Sequence, residues 1–290
     1  MNPLSFFAQM IRIAIPYLFA ASGGVVAERS GIVSLTLEGF MLGGAFGAVL
    51  GTNYSGSPWV GVLTGILAGL IFALIHAVCT IRYRADQVVV GVAINLLAIG
   101  VTRFFLKLFF ASSSNSPRVA GFGGNIKLAG FDNPLLWLGL IVPVAVAFVI
   151  YRTPFGLRVR AAGEHPDAAQ SVGVSVARVR YAAVAISGIL AGLGGVYLAL
   201  DQHQFTDQMT AGRGFIAISA VIFGRWNPIR AALACLLFAA AETLQIQLQG
   251  NHAIASQFIE MIPYVLTIIA LAGLVGRAAP PAALGKATTE

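Results

Sequence analysis

Charged residues are scarce in this chain: they make up 10% of its 290 residues, whereas 58% are hydrophobic. A soluble domain carries roughly 25% charged residues, so this chain has too few to cover a globular surface in water. The composition excludes an ordinary soluble fold. It predicts an integral membrane protein, in which the lipid bilayer solvates most of the surface.

Cysteine, lysine and catalytic motifs are also scarce. The two cysteines, Cys79 and Cys235, lie far apart inside apolar segments, which favours neither a disulfide framework nor a zinc site. Of the three lysines only Lys286 follows a glycine, and alanine comes after it, so the Gly-x-x-x-x-Gly-Lys-Ser/Thr phosphate-binding loop is absent. The sequence also lacks a His-Glu-x-x-His motif and a Ser-His-Asp set. We therefore predict that the chain is not an enzyme and holds no ATP, metal or cofactor.

Long apolar runs fill most of the sequence. A membrane-spanning helix needs about 20 predominantly apolar residues. Eight segments have this character: 6–27, 32–51, 58–81, 87–110, 134–151, 179–200, 229–249 and 256–276. A ninth, 214–224, has half the length, as expected of a short or broken helix packed inside a bundle. We predict an all-α integral membrane protein, a polytopic bundle of about nine transmembrane segments (8–10) that forms one domain over 1–290.

The arginines orient these segments. Loops rich in arginine and lysine face the cytoplasm, and the stretch 152–180 alone carries five arginines. With 214–224 counted as a crossing, 12 of the 18 Lys+Arg residues lie on the cytoplasmic side. The N-terminus then lies outside and the C-terminus in the cytoplasm. Topology thus accounts for the net charge of +7, and we expect no nucleic-acid partner.

The cytoplasmic loop 152–178 is long for a connection between two spans. Pro166 suits the first turn of a short helix in it, and Gly173 suits its end. This helix carries a charge at its favourable end and two small side chains that let it lie close to another surface: Asp167, Ala168 and Ala169. Such a helix suits docking of a soluble partner, although its spacing fits an ordinary surface helix equally well.

A few polar side chains lie inside the apolar runs. Glu38 is in the second, Asn95 in the fourth, and Glu242, Gln245 and Gln249 share one face of the eighth. Polar groups at this depth face the interior of the bundle or a water-filled path. They therefore line a solute pathway or pair between helices, and for Glu38 the pairing partner would be Asn95 or an arginine.

Three stretches resemble one family of membrane proteins. The first, 19–51, contains the motifs Glu-Arg-Ser-Gly-Ile and Leu-Glu-Gly; the second, 153–199, begins Thr-Pro-Phe-Gly-Leu-Arg-Val-Arg; the third, 212–245, begins Gly-Arg-Gly-Phe-Ile-Ala-Ile-Ser. They are similar to the permeases of ATP-binding-cassette (ABC) importers for branched-chain amino acids, simple sugars and nucleosides, and most of all to the nucleoside and simple-sugar branch. Ser34-Leu35-Thr36 departs from that branch, which has a combination such as Asn-Leu-Gly at a break in the second span.

The resemblance implies a multi-pass permease of the bacterial cytoplasmic (inner) membrane that moves a small polar solute by alternating access. The expected solute is a nucleoside, with simple sugars next. The implied partners are a second related permease, an extracytoplasmic solute-binding protein, and two cytoplasmic ABC ATPase subunits or one tandem ATPase, which bind the ATP and Mg²⁺.

The resemblance also assigns roles to residues. The loop 152–178 becomes a coupling loop, whose expected ATPase-coupling residues are Gly163, Glu164, Asp167, Ala168, Ala169 and Gly173. The candidates for the solute pathway are Glu38, Asn95, Glu242 and Gln245. An alternative is an ion-coupled secondary transporter that uses Glu38 and Glu242 as coupling carboxylates. That alternative gives the loop 152–178 no role.

Overall fold

The computed structural model describes residues 3–122, 133–249 and 279–286. Within these ranges the chain is helical apart from its turns, loops and one isolated β-bridge between Asn115 and Thr206. The helices are α1 (Pro3–Arg29), α2 (Leu37–Ser55), α3 (Pro58–Ala77, continued by a π-helical turn Val78–Arg82), α4 (Gln87–Phe110), α5 (Pro134–Arg152), α6 (Pro154–Glu164), α7 (Pro166–Ser171), α8 (Val176–Asp201), α9 (Arg213–Phe223) and α10 (Pro228–Leu248).

The predicted all-α membrane fold is confirmed, whereas the count of nine crossings stays a prediction. Six of the described helices are long and apolar enough to span a bilayer: α1, α3 with its π turn, α4, α5, α8 and α10. The glycine-rich α2 has 19 residues and α9 only 11. The predicted span 256–276 lies outside the described residues.

The helices divide into a buried centre and an outer shell with exposed apolar faces. Over most of their length α1, α2 and α8 are covered by other helices. In contrast, α3, α4 and α5 expose large apolar side chains along one face, among them Leu67, Leu96 and Val144. Contiguous apolar surface of this kind is rare in soluble proteins and marks a membrane or protein contact.

Glycines let the central helices approach closely. Repeats at four-residue spacing occur in α2, α3 and α8, and these helices pack against one another. A Cβ atom added at Gly44 of α2 would lie 2.6 Å from the Cα of Gly192 in α8. One added at Gly69 of α3 would lie 2.6 Å from the carbonyl oxygen of Gly188. Because these distances are shorter than van der Waals contact, only glycine permits the observed packing.

The chain between α1 and α2 turns back into the bundle, so the predicted start of the second span at residue 32 was wrong. Gly31 has φ +96°, which reverses the chain after α1. The hydroxyl of Ser34 then donates to the carbonyl of Gly24 at 3.2 Å, and its amide donates to the carboxylate of Glu28 at 3.3 Å. The helix therefore resumes only at Leu37, beside α1 and not beyond its end.

The helix α9 is too short to cross a bilayer on its own. At 1.5 Å per residue its 11 residues span roughly 16 Å, about half of the hydrocarbon core. The preceding loop 202–212 is tied to the loop 111–122 by backbone hydrogen bonds, including one from the Ser116 amide to the Phe205 carbonyl at 2.8 Å. The N-terminus of α9 consequently lies inside the bundle, packed against α1, α2 and α10.

We expect Gly44→Ala to lower the free energy of unfolding by about 1–3 kcal/mol, because the added methyl group meets backbone that has no room to move. Thermal unfolding of the purified protein in detergent measures the effect. Gly100→Ala in α4 is the matched control, since its Cβ meets nothing within 4 Å. Equal unfolding temperatures for the two variants would contradict the packing described for α2 and α8.

Candidate functional site

The carboxylate of Glu38 caps the N-terminus of α9. It accepts hydrogen bonds from the amide of Gly212 at 2.9 Å and from the amide of Gly214 at 2.6 Å, and Glu38 is only 9% exposed. The first amides of a helix have no partner within the helix, and the helix dipole favours a negative charge there. The partner of Glu38 is therefore a helix end, and among the described residues neither Asn95 nor an arginine bonds to it.

The side chain of Asn95 binds backbone groups at the start of α2. Its side-chain oxygen accepts from the amide of Gly39 at 2.9 Å, and its side-chain nitrogen donates to the carbonyl of Leu35 at 2.8 Å. The side chain thus bridges the end of the 30–36 turn and the first turn of α2. Asn95 fixes the place where α2 begins, and with it the position of Glu38.

A second carboxylate reaches the same end of α9 from α10. Glu242 pairs with Arg213, the first residue of α9, at 3.1 Å, and it accepts a hydrogen bond from the hydroxyl of Tyr17 in α1. Both charged side chains of the pair are partly exposed. Gln245 is partly exposed about one turn further along α10. These groups form a polar cluster, which we call the α9 cluster: Tyr17, Glu38, Arg213 and Glu242.

Sequence reasoning missed two members of the α9 cluster. Arg213 is one of the six Lys+Arg residues that the topology leaves off the cytoplasmic side, and Tyr17 lies in an apolar run where no neighbouring residue singles it out. The signal for Arg213 was its position between Gly212 and Gly214 at the start of a half-length apolar segment. A charge beside a helix that begins inside the bundle can pair with the bundle's own side chains.

An open cavity of about 620 Å³ lies beside the α9 cluster among the described residues. Polar side chains in its wall include Gln9, Arg12, Asp201 and Arg213. Arg12 and Asp201 form an ion pair at 3.0 Å across this wall, from α1 to α8. Arg213 is likewise paired with Glu242, so each of these charged side chains of the wall takes part in an ion pair.

The other end of α9 is held by the last residues of α1. The indole nitrogen of Trp226 donates to the carboxylate of Glu28 at 2.5 Å, and the side chain of Arg29 donates to the Trp226 carbonyl at 2.8 Å. Trp226 and its neighbour Arg225 have φ of +54° and +52°. Bulky residues rarely adopt this conformation, so the contacts with α1 hold a strained turn in place. Both ends of α9 thus depend on acidic residues from the α1–α2 region.

The predicted coupling residues divide between two short helices, α6 and α7. Gly163 and Glu164 end α6 and face the rest of the chain: Gly163 packs on the carbonyl of Arg29, and Glu164 lies 3.7 Å from the Arg29 guanidinium. This contact joins α6 to the residue that also binds the turn after α9.

The remaining coupling residues belong to α7 and the turn that follows it. Asp167 and Ala168 are exposed, Ala169 is buried at 4% exposure, and Gly173 ends the turn after the helix with φ +82°. The outward face of α7 is therefore carried by Asp167 and Ala168, whereas Ala169 packs on its own chain.

Comparison with known proteins places this chain in a family. The model of the family described as "Branched-chain amino acid transport system / permease component" matches residues 6–271. The chain is 41% identical to the guanosine ABC transporter permease protein NupQ of Bacillus subtilis, over 94% of this chain and 92% of that protein. It is 39% identical to the nucleoside ABC transporter permease protein NupC of Lactococcus lactis, over 96% of this chain and 94% of that protein.

A solved structure supports the fold. An inward-facing metal-chelate type ABC transporter aligns with a TM-score of 0.51 at 13% identity, covering 92% of this chain and 85% of that one. At this identity the likeness concerns the arrangement of helices alone. Together with the family match over residues 6–271, these relatives show that the chain belongs to the family of ABC transporter permeases described as the branched-chain amino acid transport system permease component.

Proposed function

We propose that this chain is the membrane-spanning permease subunit of an ATP-driven importer that takes nucleosides across the bacterial cytoplasmic membrane. The observation that carries the proposal is the likeness to the guanosine and nucleoside permeases, which extends over more than nine tenths of the chain at about 40% identity. Simple sugars are the next candidate solute. Energy comes from ATP bound by partner subunits, since the chain has no phosphate-binding loop of its own.

The proposed complex contains a second permease, an extracytoplasmic solute-binding protein and two ABC ATPase domains. The arginine-rich loop 152–178 faces the cytoplasm, and the outward face of α7 carries Asp167 and Ala168 to the ATPase. Closure of the ATPase then moves α6 and α7. The contact of Glu164 and Gly163 with Arg29, and of Arg29 with Trp226, supports transmission of that movement to α9.

The solute pathway in this proposal passes the N-terminus of α9. Glu38 and Asn95 already bond backbone groups, so we assign them to holding α9 and α2. Arg213, Glu242 and Gln245 are partly exposed and supply hydrogen-bond donors and acceptors for ribose hydroxyls and base edges. The Arg213–Glu242 pair has no net charge, which suits an uncharged nucleoside.

Ion-coupled transport is the weaker candidate. It would require Glu38 or Glu242 to gain and lose a proton or cation during each cycle. Glu38 accepts two amide bonds, and Glu242 bonds both Arg213 and Tyr17. Both carboxylates are thus engaged in contacts with the start of α9, so they are better suited to a structural role than to binding and releasing an ion in each cycle.

The proposal is tested by reconstituting this chain with its second permease, ATPase and binding protein in liposomes. We expect uptake of radiolabelled guanosine that requires ATP, is competed by other nucleosides more strongly than by ribose, and is absent with an ATPase variant unable to hydrolyse ATP. The chain alone should show neither uptake nor ATPase activity. Guanosine uptake by the chain alone under a proton gradient would refute the proposal.

A substitution on the outward face of α7 tests the docking role. Ala168→Arg should reduce ATPase co-purification by about tenfold or more, because a bulky side chain separates the two surfaces. A tenfold change corresponds to a loss of about 1.4 kcal/mol in binding free energy. Solute capture by the binding protein should persist.

Two matched variants accompany this test. Ala168→Ser keeps the small side chain and should retain the ATPase. Ala169→Arg should instead impair folding, since Ala169 is buried in its own chain. An Ala168→Arg complex that assembles and transports normally would rule out α7 as the docking helix.

Glu38→Ala distinguishes a structural role from solute contact. The variant removes the partner of the buried Gly214 amide and of the part-buried Gly212 amide, so we expect the free energy of unfolding to fall by about 1–3 kcal/mol, with loss of transport. Thermal unfolding in detergent measures this, and Gln245→Ala is a control that leaves α9 capped. A Glu38→Ala variant of normal stability whose only defect is a raised KM for guanosine would place Glu38 in the solute site instead.

A further inference from the structure

The segment 279–286 returns to the coupling region and binds there. The amide of Ala283 donates to the carbonyl of Gly163 at 2.8 Å, and the amide of Gly285 donates to the carbonyl of Gly31 at 3.1 Å. The side chain of Ala283 is buried at 2% exposure. The segment therefore bridges the end of α6 and the turn between α1 and α2, two regions far apart in sequence.

A further bond ties the segment to α6. The amide of Ala282 donates to the carboxylate of Glu164 at 3.3 Å, whereas the Ala282 side chain itself is exposed. Glu164 is the same residue that lies beside Arg29. The segment thus reaches both residues through which α6 contacts the end of α1.

Arg180 of α8 binds both this segment and the turn between α1 and α2. It is 1% exposed; its Nε donates to the carbonyl of Ser30 at 3.1 Å and its Nη1 to the carbonyl of Lys286 at 3.0 Å. A buried guanidinium requires hydrogen-bond acceptors. Among the described atoms these acceptors are two backbone carbonyls, one of which the segment supplies.

We propose that the segment 279–286, bound by Arg180, positions α6 for coupling between the ATPase and the transmembrane helices. It fixes the end of α6 to the turn between α1 and α2, so that movement of α6 and α7 is passed to Arg29 and α9 instead of being lost as relative motion. This inference rests on the proposed ATP-driven transport. The attachment consists of a few hydrogen bonds, the buried side chains of Pro281 and Ala283, and the partly buried Leu284. Because the segment belongs to none of the described helices, its removal should leave the helical bundle intact.

The coupling arm of the test uses the full reconstituted complex. Ala283→Arg should displace the segment, whereas Ala282→Arg, whose side chain points into solvent, is the matched control. A chain ending at 278 repeats the displacement, and one ending at Lys286 controls for the truncation. For the displaced variants we expect normal ATPase co-purification and basal hydrolysis, but about tenfold less guanosine moved per ATP, within the usual range of coupling between sites.

The results separate the two proposals. If the unmodified complex shows no ATP-dependent guanosine uptake, the proposed function fails, whatever the variants do. If the unmodified complex transports and Ala283→Arg has the same guanosine-to-ATP ratio, the positioning role fails alone. Loss of the ATPase subunits in Ala283→Arg would also overturn the positioning role, since it would make the segment part of the docking surface.

A labelling experiment tests whether the segment 279–286 is bound to the rest of the chain, without solute or ATPase. In the purified chain, a maleimide should label Ala283→Cys at least about tenfold more slowly than Ala282→Cys, since only the first side chain is buried. Arg180→Ala should abolish the difference and Arg180→Lys should restore part of it. Equal labelling rates at the two positions in the otherwise unmodified chain would show that the segment is not bound to Arg180 and α6, and would overturn the inference.

Discussion

The arrangement depends on one requirement, that the free amides at the N-terminus of α9 find a partner inside the helical bundle. The first amides of a helix have no partner within the helix, and a buried amide left unpaired costs about 1–3 kcal/mol. Glu38 meets the requirement with two hydrogen bonds. To place Glu38 there, α2 has to begin at the depth of the α9 N-terminus. The turn at 30–36 and the bond from Asn95 to Gly39 fix that start.

The same region of the chain holds both ends of α9. Glu38 binds its first turn, and Glu28 with Arg29 binds the strained turn that follows it. Arg29 in turn contacts Glu164 at the end of α6. In the proposed mechanism, a displacement of α6 reaches α9 through these contacts with α1. The close glycine packing joins α2 to α8 beside them.

The sequence predicted the helices better than the contacts between them. Apolar length and flanking turn residues identify a span well; the predicted segment 87–110 has the same bounds as α4. The second span was predicted five residues too early, because the apolar residues Ile32 and Val33 read as helix although the chain turns back to bond Glu28. Hydropathy registers how apolar a segment is, but it carries no information on where the chain reverses.

The partners of the polar residues were harder to predict for a physical reason. Glu38 binds backbone amides, which every residue except proline possesses, so no side chain in the sequence marks them as its partner. Asn95 likewise binds backbone groups of α2. Arg180 serves two carbonyls, one of them at Lys286, more than 100 residues away. Such contacts follow from the fold and become visible only when it is known.

The most direct test of the account measures whether α6 and α9 move together. Spin labels at Arg158→Cys in α6, Ser219→Cys in α9 and Leu67→Cys in α3, introduced pairwise into a chain with both native cysteines replaced, report distances by pulsed electron resonance in the assembled complex; Arg158 is exposed and lies outside the outward face of α7. Between the nucleotide-free and ATP-trapped states, the account predicts that the distance from 219 to 67 changes while that from 158 to 219 stays constant. A constant 219-to-67 distance with a changing 158-to-219 distance would contradict it.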